Sequence, residues 1–225
     1  MSIHLVFLYR CRDGIAHDEF VRHWAEVHAP LVRAMPSIRG YVRDIVSPGV
    51  GPRAAWHGAE ELWVDDEEAA DALMRDPRFL GGPLADESLF VDTEAIVRLR
   101  TRDHAVVAGE AIAEAASLPK RMTFLKRKPD MSRAELLSYW RDVHGPLAGS
   151  VPGVRRYVQS PVVASEFSDG EPRFDGMAQV WLNDSQALQE ALASPLFREQ
   201  VKSDAANFVE TELTVTLAVQ ECREI

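Results

Sequence analysis

Two histidines stand two residues before a proline in matching surroundings, His28 in VHAPLV and His144 in VHGPLA. Imidazole is the side chain whose ordinary pKa lies near neutrality, so at a partly buried position it can take up or give up a proton during a reaction. A tyrosine follows each histidine by thirteen residues, Tyr41 and Tyr157. On a strand, either phenol can orient a substrate carbonyl or carboxylate, or simply fill a half-buried position. Glu61 shares a strand face with Trp63 in an apolar stretch and is the candidate carboxylate partner of His28, or else a solvated side chain. The later counterparts are Gln179, which does not titrate, and Trp181. The candidate catalytic residues are therefore His28, His144 and Glu61, with the first half favoured. Tyr41, Tyr157, Trp63 and Trp181 are the candidates for holding substrate. The competing role for the histidines is structural, since an imidazole at a disrupted helix end can bond freed carbonyls.

The element that positions each histidine is a helix. Its apolar residues, Phe20, Trp24, Val27 and Leu31 in one case and Leu136, Trp140, Val143 and Leu147 in the other, follow the i, i+4, i+7, i+11 spacing of one buried face. Pro30 and Pro146 predict a kink or an end. A helical wheel sets His28 and His144 about 60° beyond Leu31 and Leu147, at the rim between core and solvent. His23 and His28 fall about 140° apart on that wheel, and Tyr139 replaces His23 in the second copy, so no metal site is expected.

The likeness extends far beyond the histidines. Trp24, Pro30, Pro36, Arg39, Tyr41 and Val42 recur 116 residues later as Trp140, Pro146, Pro152, Arg155, Tyr157 and Val158. At an offset of 118, Gly58, Pro77 and Phe79 return as Gly176, Pro195 and Phe197, and DESLFVDTE at 86–94 returns as DAANFVETE. Such self-similarity means two copies of one unit, at residues 1–102 and 118–225, with an Ala-rich connector at 103–117. HLVFLY and RMTFLK read as first strands, GYVRDIV and RYVQSPVV as second, AAWHGAEELWV and RFDGMAQVWL as third, and EAIVRLR and ELTVTLAV as last. DDEEAADALMR and NDSQALQEALA read as second helices. The order β-α-β-β-α-β is the ferredoxin-like α+β arrangement. One sheet face is covered by its own helices and the other needs cover. Two repeats packed sheet to sheet, an intrachain dimeric α+β barrel, would supply it: a dimer made covalent.

The net charge of −10 argues against a nucleic-acid or anionic-membrane partner. No apolar run approaches a membrane span, and MSIHLVFLYR lacks the basic start of a signal peptide. Cys11 and Cys222 show no ligand or disulfide spacing, which fits a reduced, cytoplasmic protein. No phosphate loop, dinucleotide fingerprint or nucleophile elbow occurs, and GVGPR at 49–53 reads as a turn.

The helix F-x-x-H-W-x-x-x-H-x-P-L at 20–31, the proline and GYV after it, ELWVDD at 61–66 and FVDT at 90–93 resemble the EthD family of the dimeric α+β barrel superfamily. Both halves carry the resemblance. It implies a superfamily that includes cofactor-free muconolactone isomerases, polyketide cyclases, decarboxylases, dehydratases and haem-degrading oxygenases, so fold alone does not choose the reaction. In the related muconolactone isomerases the matching histidine lies in the active site. The implied function is a cofactor-independent lyase or isomerase acting by histidine acid/base chemistry on a small aromatic, lactone or polyketide-like substrate. A non-catalytic carrier of the same fold and a haem-handling relative, with a pocket histidine as axial ligand, are the alternatives. The expected partners are a small-molecule substrate and, beyond the intrachain pair, a possible second copy of the chain.

Overall fold

A computed structural model of the chain describes residues 1–46, 56–109, 118–165 and 171–225. The expected turn at 49–53 and the connector from residue 110 onward lie outside the described residues. Two compact units are present: one built on Met1–Thr101 and including Gln220–Ile225, the other on Arg102–Val163 and Ser168–Val219. Both are α+β units with an antiparallel sheet. No helix among the described residues is long and apolar enough to cross a membrane.

The first unit contains β1 Ile3–Tyr9, β2 Gly40–Val46, β3 Gly58–Val64 and β4 Val97–Thr101. They pair antiparallel in the order β4-β1-β3-β2. Every residue of IHLVFLY is buried, which suits a strand covered on both faces. Leu5, Phe7 and Tyr9 point to the helix side and join Phe20 and Trp24 in the core. Gly58 is required there: a Cβ on it would sit 2.4 Å from Trp24 Cζ3.

The histidine helix departs from expectation. It does not end at Pro30 but runs as helix His17–His23, a π-helical turn Trp24–His28, and helix Ala29–Arg33. The Ala29 N–H donates to the Trp24 carbonyl, five residues back, so the wider turn absorbs the position where Pro30 has no N–H to give. Each such turn takes in an extra residue and delays the rotation of the residues beyond it. The buried positions are consequently spaced by four, Phe20, Trp24, His28 and Val32, whereas Val27 is exposed. His28 is thereby carried from the rim into the core.

The second unit repeats the plan with β6 Lys120–Leu125, β7 Val154–Ser165, β8 Gly176–Leu182 and β9 Val215–Arg223, where β9 pairs through its first residues. Ser132 and Glu135 form a reciprocal cap on helix Arg133–Tyr139, the S-x-x-E spacing of a capping box. The same π turn, Trp140–His144, precedes Gly145–Gly149; His144 is buried and Val143 exposed. Gly176 clears Trp140 as Gly58 clears Trp24. One expectation needs correction. The start of the supposed connector is a strand, β5 His104–Val107, paired with β7. Its Val106 and Val107 come against Gly145 and Gly149, and a Cβ on Gly149 would sit 3.0 Å from Val107 Cγ2, so the β-branched pair is a packing element.

Candidate functional site

In the first unit the π turn aims Trp24 and His28 at the sheet, and the sheet answers with Glu60. Strand alternation puts Glu60 on the face of Gly58 and Leu62, opposite Phe7 on β1. Trp24 Nε1 donates to Glu60 at 2.9 Å and the Tyr41 hydroxyl at 3.2 Å. His28 Nε2 lies 3.3 Å from the same carboxylate, at an angle that makes this a contact of charge rather than a directed hydrogen bond. His28 Nδ1 bonds Asp86 at 3.0 Å, and His23 Nε2 reaches the same carboxyl at 3.0 Å. The π turn thus brings together two histidines that an ideal wheel separates. Glu87 accepts from the Tyr9 hydroxyl at 2.9 Å and pairs with Arg98.

Burial alone would push the His28 pKa down, but the contact with the Glu60 carboxylate and the bond to Asp86 outweigh it and raise it to about 9. His28 is therefore an imidazolium at neutral pH, 1% exposed, and it has no lone pair to act as a base. Burial pushes the Glu87 carboxyl up against the opposing pull of Arg98. This cluster locks a fold.

It also has a pH signature. His28 binds its proton more tightly folded than unfolded, so the stabilisation is complete below the unfolded pKa and is lost as pH rises through about 9. Urea unfolding between about pH 6 and about pH 10 should show the wild type weakening by on the order of 3 kcal/mol more than His28→Gln. Parallel profiles for the two proteins would mean that the folded imidazole is neutral.

The second unit has the same backbone with a different filling. Thr123 stands where Phe7 stands, Leu125 for Tyr9, Ala178 for Glu60, Ala205 for Glu87 and Thr216 for Arg98. Each exchange removes volume at one place on the helix-facing side of the sheet. The outcome is a cavity of about 320 Å³ walled by Trp140, His144, Tyr157, Ala178, Ala205 and Phe208, among others, within the size range of small-molecule sites. The structure does not bring the expected partners Glu61 and His28 together. Glu61 faces the other side of its sheet, 2.9 Å from His4, and the half with the opened pocket is the second.

His144 Nδ1 bonds Asp204 at 2.8 Å, and the Tyr139 hydroxyl donates to the same carboxyl at 2.6 Å. Burial pushes the His144 pKa down, and Asp204 opposes this only in part. The ring is accordingly neutral at pH 7. Its Nδ1 proton is held by the Asp204 carboxylate, leaving Nε2 as the basic nitrogen. The Tyr157 hydroxyl accepts from Trp140 Nε1 at 3.2 Å and from Gln159 Nε2 at 3.1 Å. Burial keeps this phenol protonated, so its own proton is available to an acceptor in the cavity. A neutral base and a phenolic donor on one apolar cavity can shift a proton beside a carbonyl.

Of the other candidates, Tyr41 is spent on Glu60. Trp63 stacks on His4 with ring centres 4.2 Å apart, and Trp181 lies under Lys120 and Arg156; both tryptophans occupy the sheet face turned away from their histidine. Sequence reasoning missed Glu60, although strand alternation sets it on the face opposite to Glu61 and Trp63, together with Gly58 and Leu62. It also missed Asp86 and Asp204, whose signal was their matched position in DESLFVDTE and DAANFVETE. Among the described residues no group of three or more His, Cys, Asp or Glu is arranged to hold a metal ion.

Comparison with known proteins bears on both halves. The family described as EthD domain matches the chain twice, over residues 12–94 and 128–212. No curated protein matches. Among solved structures, an anthrone oxidase-like protein superposes with a TM-score of 0.68 at 13% identity, covering 99% of this chain and 93% of that one. A mutant chlorite dismutase from Candidatus Nitrospira defluvii gives 0.52 at 9% identity over 97% and 91%. An ethyl tert-butyl ether d (ethd) family protein from Bacillus halodurans C-125, 24% identical, matches 45% of this chain and 98% of that one with a TM-score of 0.39. At these identities the likeness is one of fold.

Proposed function

The chain belongs to the EthD family, with two copies of its domain in one polypeptide, and from that premise we propose that it is a cofactor-independent lyase or isomerase whose working site is the cavity of the second unit. The observation that carries the proposal is the meeting there of a neutral His144, oriented by Asp204, with the Tyr157 hydroxyl on a mainly apolar wall. Tyr157 donates to a carbonyl oxygen of a small aromatic, lactone or polyketide-like substrate. His144 Nε2 removes a proton beside that carbonyl and returns it elsewhere, which serves isomerisation, dehydration or cyclisation alike. The dry wall strengthens both interactions. The first unit, its pocket filled by Phe7, Tyr9, Glu60, Glu87 and Arg98, is the scaffold copy.

A screen of lactones and aromatic acids by calorimetry and by product analysis tests this reading, with Ala178→Phe as the blocking variant. The phenyl ring enters the existing cavity, so the variant should keep its melting temperature and weaken any ligand of the wild type at least roughly tenfold. Undiminished binding in that variant would place the ligand elsewhere. Binding without turnover would favour the carrier reading, and a Soret band in the purified protein the haem-handling one.

A further inference from the structure

One cavity residue has no part in the proton transfer. Arg121 lies on β6 between the buried Lys120 and Met122, with its side chain on the cavity wall. Thr123 comes two residues on along the same face, and its hydroxyl is 3.1 Å from that of Thr216 on β9. Among the described residues the wall carries two cations, Arg121 and the exposed Lys202 at its rim, and no carboxylate. Nor does Arg121 make a hydrogen bond or ion pair with a protein group among those residues. Burial acts on its guanidinium unopposed and pushes its pKa down. An arginine half-removed from water without a counter-charge is a cost that the empty protein bears, in a chain whose net charge of −10 offers acidic groups in excess. The first unit, where Phe7, Tyr9 and Glu60 occupy the matching space, places Leu5 at the corresponding position.

We infer that the second unit's cavity takes an organic carboxylate, an apolar ring system bearing one acid group, with the acid seated on Arg121 and the ring against Trp140, Phe208 and the aliphatic wall. The planar guanidinium offers two parallel N–H donors to the two carboxylate oxygens, and the hydroxyls of Thr123 and Thr216 stand beside it on the sheet floor. This inference rests on the cavity being the working site. It adds to that reading the charge of the substrate and its direction in the pocket, with the acid toward β6 and the reacting carbonyl toward Tyr157 and His144.

The test is calorimetric titration of the full chain with a series of acids from benzoate to 2-naphthoate, each against its uncharged amide. The wild type should prefer the best acid over its amide by roughly 10- to 100-fold, as a desolvated charge-assisted pair supplies. Arg121→Leu, which installs the residue of the first unit, should abolish the preference by weakening the acid alone. Arg121→Lys should retain part of it. Equal affinity for acid and amide in the wild type, or a preference that survives Arg121→Leu, overturns the anion site while leaving the cavity reading intact. Failure of every acid and every amide to bind overturns both.

Discussion

Replacing Glu60 with alanine should destabilise the protein by about 3–5 kcal/mol, the range for removing one partner of a buried ion pair. Three donors converge on this carboxylate, Trp24 Nε1, the Tyr41 hydroxyl and the charged His28, and none has water to turn to, since Trp24 and Tyr41 are fully buried and His28 nearly so. The loss comes chiefly from what is left behind, an imidazolium with only Asp86 to balance it and two orphaned donors. Glu60→Gln should cost less, because an acceptor oxygen remains for Trp24 or Tyr41. The triple replacement Glu60→Ala, Glu87→Ala, Arg98→Thr gives the first unit the residues of the second. It should cost less than the sum of its parts, because Arg98 and Glu87 leave as a pair. Urea unfolding followed by tryptophan fluorescence reads all three, and a loss under about 1 kcal/mol for Glu60→Ala would mean that the cluster is hydrated and the carboxylate replaceable by solvent.

The contrast between the halves explains what could be read from the sequence. The repeat and the β-α-β-β-α-β order were legible because each rests on simple signals: a fixed offset, and strand and helix periods. The histidine's place was not, because a wheel at a constant angle per residue assumes a uniform helix, and the π turn at Trp24–His28 breaks that assumption. Glu61 drew attention as a carboxylate on the face of Trp63 in an apolar stretch; with His28 in the core, the carboxylate it meets is Glu60, one residue and one sheet face away. The opened pocket is harder still to see. Phe7 against Thr123 or Glu87 against Ala205 is an ordinary difference when taken singly. The five exchanges add up to a cavity only because β-sheet register and the helix end bring all of them to one spot.

That spot sets the largest kinetic effect. His144→Gln should lower kcat by about 10²–10⁴, the usual worth of a positioned general base, with KM little changed because glutamine keeps much of the ring's bulk. Asp204→Asn should produce a smaller loss, since the amide can still orient the ring but no longer favours the Nδ1–H form or stabilises the imidazolium that develops. The sign of the pH dependence is set by burial. His144 is held below its ordinary pKa, so wild-type kcat/KM should be level through neutrality and fall on the acid side, where protonation removes the base, with a midpoint below about 6.5. That acid limb should vanish from the residual activity of His144→Gln. The matched change in the other half separates the two histidines. His28→Gln should alter unfolding and its pH profile while folded protein still turns over, because His28 is a buried cation with both ring nitrogens engaged by carboxylates. Loss of turnover in a folded His28→Gln, together with near-normal turnover in His144→Gln, would reverse the assignment of scaffold and working halves.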